Sequence, residues 1–90
     1  MFNISMNNQN KYYKTSSLSL ASAIQATSTS KLEFIDFSNP SRAEFVFDRT
    51  KDASFDEIIA SFWTKNLPID ASTYFDSIRY IKSRLYEDKS

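Results

Sequence analysis

The 90 residues carry 11 Lys and Arg against 11 Asp and Glu, so no net field draws the chain toward nucleic acid or an anionic membrane. Cys and His are both absent, which removes disulfides, thiol nucleophiles and thiolate metal sites together with the commonest general base and metal ligand. Gly is absent as well, so Gly-rich phosphate loops and dinucleotide fingerprints cannot form, and Asn, Asp and Ser must serve any turn that needs positive φ.

What the chain has in abundance is aromatic surface: 8 Phe, 5 Tyr and 1 Trp. A buried aromatic removes about 150 to 250 Å² from water, so a few of them can dominate folding at this size. One small core and one α+β domain over residues 11–90 are expected. Charge is unevenly spread. Residues 1–30 hold Lys11 and Lys14 and no acid, residues 31–70 hold five bases against eight acids, and residues 71–90 hold four bases against three acids. No apolar run approaches the roughly 18 to 20 residues that span a bilayer, and the start lacks an apolar segment behind basic residues. A cytoplasmic protein with no membrane contact, no cofactor and no metal is expected.

Residues 1–10, rich in Asn and Gln, read as a disordered polar tail. Lys11 to Lys14, with adjacent Tyr12 and Tyr13, is the one β-prone stretch outside the central hairpin and is the candidate third strand. Thr15 or Ser16 can cap a helix over about 16–26 by accepting a first-turn amide. Its apolar stripe of Leu20, Ala21 and Ile24 is narrow and suits close packing on another element. Thr27 to Ser30 then form a hydroxyl-rich loop.

Leu32 to Phe37 and Ala43 to Asp48, separated by Ser38-Asn39-Pro40-Ser41-Arg42, read as a β-hairpin within residues 31–48. Two strands alone are marginal in water, so the rest of the chain must cover them. Strict alternation puts Leu32, Phe34 and Asp36 on one face and Glu33, Ile35 and Phe37 on the other. The second strand points Ala43, Phe45 and Phe47 one way, a clear core face. Phe45-Val46-Phe47 departs from the aromatic strand of RNA-recognition sheets, which needs a preceding glycine and a different aromatic spacing, and reads as core.

Ser54-Phe55-Asp56-Glu57 has the capping-box form. Phe55, Ile58, Ile59, Phe62 and Trp63 follow at i, i+3, i+4, i+7 and i+8, which predicts a helix over about 55–65. Asp56 and Glu57 sit at its positive end as dipole partners. Leu67-Pro68 stops it, because the residue before proline avoids helical geometry. Asp70 then caps a last helix over 71–86, with Tyr74, Ile78, Ile81 and Leu85 on one stripe and Phe75 at its margin.

From Tyr13 onward the chain resembles a small prokaryotic and bacteriophage family of unknown function. The match is carried by Tyr13 to Ala21 at the first helix, Glu44-Phe45-Val46-Phe47-Asp48 on the second hairpin strand, Phe62-Trp63 at the end of the middle helix, and Tyr74-Phe75 and Ile81-Lys82-Ser83 on the last. The family usually places a glycine after the first helix, where this chain has Thr27 to Ser30. The resemblance implies a compact α+β domain and brings no activity, ligand or catalytic residue.

Three function classes follow. A non-catalytic protein-interaction module, self-associating or binding another protein, would use Glu33, Ile35 and Phe37, the hairpin groups that strict alternation leaves uncovered, with Tyr12 and Tyr13 of the candidate third strand and an unpaired sheet edge. A nucleic-acid accessory role would use Arg79, Lys82 and Arg84 for phosphates, with Tyr80 and Tyr86 stacking on bases. An enzyme is disfavoured, since no spacing gathers three carboxylate ligands, and no small-molecule site is apparent.

Overall fold

The computed structural model describes residues 11–89. The tail reading for residues 1–10 lies outside them. Along the chain run β1 (Tyr12–Thr15), α1 (Leu18–Thr27), β2 (Leu32–Asp36), β3 (Glu44–Asp48), a 3₁₀ turn (Arg49–Lys51), α2 (Phe55–Trp63) and α3 (Ala71–Lys89). The strands form one antiparallel sheet in the order β1-β3-β2, so β3 is central and the Tyr12 segment is indeed the third strand. Its register sets Tyr13 opposite Phe47 and Thr15 opposite Phe45.

Strict alternation in β2 is overturned. Leu32 pairs with Phe47 while Phe34 pairs with Val46, so β2 advances two residues where β3 advances one, and Glu33 is the extra residue of a β-bulge. The side-chain phase resets behind it. Leu32 and Ile35 therefore share the core face, opposite Phe47 and Phe45, and both are buried. Phe37 packs against the same core. Ile35 and Phe37, expected to be uncovered, thus lie at the core, and Phe34 takes the far face beside Val46.

The core joins Phe45, Phe47, Leu32 and Ile35 of the sheet to Leu20, Ala21 and Ile24 of α1, Phe55 of α2 and Ile81 of α3. Tyr13 meets Phe55 edge-on, with ring centroids 5.6 Å apart. The narrow stripe of α1 proves to be a wholly enclosed segment: every residue from Leu20 to Ile24 is buried. Small side chains there let other elements approach closely, as the alanines and serines predicted, and Tyr74 Oη of α3 donates to the Ser19 carbonyl at 3.2 Å.

Side-chain caps set the helix starts. Ser17, one or two residues later than expected, accepts the Leu20 amide at 3.1 Å, while Thr15 Oγ1 accepts the Ser17 amide. At α2 the capping box does not form, since Ser54 has no side-chain cap bond. Asp52 Oδ1 instead accepts the Ser54 amide at 2.8 Å. Asp70 caps α3 as expected, accepting the Thr73 amide at 3.0 Å. The Thr27 to Ser30 loop is a latch: Ser28 Oγ and the Thr29 amide both donate to Asp52 Oδ2, at 2.6 and 2.9 Å. Ser30 Oγ donates to the Asp48 carbonyl at 2.7 Å. The loop after α1 is thereby tied to the segment between β3 and α2.

Candidate functional site

The apolar stripe of α2 runs past the core it covers. Phe55 is buried, Ile58, Ile59 and Phe62 are half-buried, and Trp63 at the last position is 62% exposed. Phe62 and Trp63 meet edge-to-face with centroids 5.1 Å apart, which fixes the indole at the helix end. Beyond them the chain turns sharply. The Lys65 amide donates to the Phe62 carbonyl at 3.1 Å and the Asn66 amide to the Ser61 carbonyl at 2.8 Å, the paired bonds of a Schellman ending. That ending puts Lys65 in the left-handed region at φ 63°, the one positive φ among the described residues.

Leu67, Pro68 and Ile69 then lead to Ala71 and Tyr74 of α3. Leu67, Ile69, Ala71 and Tyr74, with Phe62, Trp63, Lys65, the cap residue Ser17 and Ser19 of α1, enclose an open groove of about 600 Å³. Its volume and lining, apolar walls with a few hydroxyls, match those of sites that accept a side chain or small ligand. Ser17 Oγ and Ser19 Oγ lie 3.1 Å apart at one rim. Lys65 is its one charged lining residue.

Residues 10–87, and with them every lining residue, match the profile of a family described as Domain of unknown function (DUF5659). The chain belongs to this family. No curated protein and no solved structure matches it.

In this DUF5659 domain the residues expected to form an interface are divided. Ile35 and Phe37 lie on the core side, as the bulge requires, and Tyr13 packs on Phe55. Burial pushes the Tyr13 hydroxyl pKa up, against a smaller opposite pull from Arg49. Tyr12 and Phe34 meet edge-on at 6.0 Å on the far face, 43% and 45% exposed, and Glu33 is ion-paired with Lys51. On the same sheet Lys14 Nζ donates to Asp36 Oδ2 at 2.8 Å. That bond, reinforced by the Ser38 amide, holds the Asp36 carboxyl well below the usual carboxylate range.

The five α3 residues proposed for nucleic acid are also split. Arg84 donates to Tyr80 Oη at 3.0 Å, lies over the Tyr80 ring and approaches Asp88 at 3.6 Å, so its charge is engaged within the helix. Arg79 covers the Phe75 ring with its guanidinium 5.6 Å from the centroid. At about 100° per residue, Arg79, Lys82 and Tyr86 fall on a flank well separated from Tyr80 and Arg84. No single face presents all five. Among the described residues no group of three Asp or Glu is placed to hold a metal ion, and no helix is long and apolar enough to cross a membrane.

Sequence reasoning missed the groove because it counted Trp63 as core. The signal was available in outline: an apolar stripe two helical turns long, followed at once by an apolar Leu67-Pro68-Ile69 segment, is more apolar surface than one end of a small sheet can cover.

Proposed function

We propose that this domain is a non-catalytic protein-interaction module whose binding site is the groove between α1, α2 and the start of α3. The observation that carries the reading is Trp63, 62% exposed at the mouth of a groove of about 600 Å³ whose walls are mainly apolar. Large exposed aromatics beside a preformed apolar depression are the usual anchors of protein recognition. The depression is already formed, because the Schellman turn and the Tyr74 bond to Ser19 hold its walls. A partner side chain therefore needs little reorganisation of this domain to enter.

The far face of the sheet is a weaker site for self-association. Three strands of four or five residues span roughly 10 Å by 13 to 17 Å, well short of the roughly 800 Å² per partner of a stable interface. Engagement of a different protein through the groove is the favoured form of the module.

The test is a screen of apolar and aromatic fragments by two-dimensional NMR on the wild-type chain and on Trp63→Ala. Shifts confined to Phe62, Trp63, Leu67, Ile69 and Tyr74, absent in Trp63→Ala, are expected. Since Trp63 is largely exposed, that variant should melt within about 1 kcal/mol of wild type. Fragments that bind nowhere, or that bind equally without the indole, refute the reading.

A further inference from the structure

We propose that Lys65 makes the groove selective for an apolar partner segment that carries a carboxylate; the inference rests on the groove being the binding site. Three observations converge on this residue. The first is its charge environment. Lys65 is the one charged lining residue, and among the described residues its ammonium has no hydrogen bond, ion pair or ring partner. Lys14, Arg49, Lys51 and Arg84 are paired with carboxylates, and Lys11 and Arg79 lie over aromatic rings, so what sets Lys65 apart is its place on the groove lining. Asp70, the acid nearest in the chain to the groove wall, is occupied in capping α3 through the Thr73 amide and hydroxyl.

The second observation is backbone geometry. The left-handed position after a helix is one that glycine fills without penalty and asparagine fills next best. A lysine there costs of order 1 kcal/mol. Asn66 stands one place later, so the less costly residue is present in the turn but not at the position that would benefit. Backbone strain of this kind is concentrated at functional sites, and here it lies at the mouth of the groove.

The third is the rest of the rim. Ser17 and Ser19 supply hydroxyls and no charge, so nothing within the lining neutralises the ammonium. Apolar walls below a single unpaired cation are complementary to a bulky apolar side chain next to an Asp, a Glu or a chain-terminal carboxylate. Partly shielding that pair from water strengthens it relative to a fully solvated one.

The experiment uses a matched pair of probes, 4-phenylbutyrate and its primary amide, which have nearly the same shape and differ in charge. Each is titrated into the full chain at low salt, with Trp63 fluorescence and amide chemical shifts as readouts. The carboxylate is expected to bind about two- to five-fold more tightly than the amide, the range of a partly exposed ion pair. Molar salt should erase that preference. Lys65→Gly, which relieves the left-handed strain, should bind both probes equally while melting no lower than wild type, and Lys65→Arg should keep the preference. Equal binding of both probes to wild type, or a preference that survives in Lys65→Gly, overturns the role of Lys65 and leaves the groove intact. Binding of neither probe overturns the groove reading and this inference with it.

Discussion

Two fully enclosed serines six residues apart should respond to the same mutation with opposite sign. Ser22 lies in the middle of α1 with its Oγ buried and without a hydrogen-bond partner. A buried hydroxyl left unpaired costs roughly 1 to 3 kcal/mol, and alanine improves helix propensity by about 0.5 kcal/mol more. Against this, loss of one oxygen forfeits a few contacts worth about 0.1 to 0.2 kcal/mol each. Ser22→Ala should therefore stabilise the fold by about 1 to 2 kcal/mol, which in a domain of this size raises the melting temperature by roughly 5 to 15 °C. Ser28 is equally buried, yet its hydroxyl donates to Asp52 at 2.6 Å and accepts the buried Ser30 amide at 2.9 Å. Ser28→Ala strands both partners and should cost about 1 to 3 kcal/mol. Thermal and urea unfolding followed by circular dichroism measure both changes. If Ser22→Ala destabilises the chain as much as Ser28→Ala does, the account of α1 as a helix packed too closely to satisfy its own hydroxyl is wrong.

Acid should unfold the domain before alkali does. Asp36 is held below its usual pKa chiefly by the Lys14 hydrogen bond, Asp48 by the Thr50 hydroxyl and Asp52 by the Ser28 hydroxyl. Depressed folded values contribute stability that is complete above the unfolded pKa near 3.9 and is lost as pH falls through the folded values. The melting temperature should be level from about pH 7 to 5 and fall below about pH 4, less steeply in Asp52→Asn; a fall already complete at pH 5 would contradict this. The same bonds raise Lys14 and Lys51, whose contribution is lost only as pH rises beyond their unfolded value near 10.4. Deleting Glu33 tests the bulge. Without the extra residue Leu32 and Phe34 fall opposite Phe47 and Val46 in regular alternation, so the variant should fold with the same core and lose little stability from the missing exposed pair with Lys51. A molten or insoluble product would mean that the bulge itself is required.

Local chemistry made much of the fold legible in advance. The α2 stripe, the Asp70 cap and the Phe45 and Phe47 core face are short-range patterns, and each is found where periodicity and capping place it, whereas α2 ends at Trp63 in a Schellman turn ahead of the stop expected at Leu67-Pro68. Caps drawn from a crowd of hydroxyls were less legible, because Thr15, Ser16 and Ser17 are chemically near-equivalent, and it is Ser17 that accepts the Leu20 amide. One residue moved Ile35 and Phe37 out of the expected interface and into the core. A single insertion at Glu33 resets the two-residue period of a strand, and nothing in the residues themselves distinguishes a bulged strand from a regular one.

Composition alone closes off thiol, imidazole and glycine-loop chemistry, because those functions need atoms or backbone freedom that this chain lacks. The order of the residues adds an aromatic core and an α+β arrangement, since apolar periodicity of 3.6 and of 2 is written along the chain. The groove is of another kind. Ser17, Trp63, Lys65, Ile69 and Tyr74 come from three helices and a linker, and none carries a mark of its partners. Their meeting depends on how far α2 overruns the core and how sharply the turn at Lys65 folds the chain back. Both are outcomes of long-range packing, which is why the site emerges only when the helices are docked.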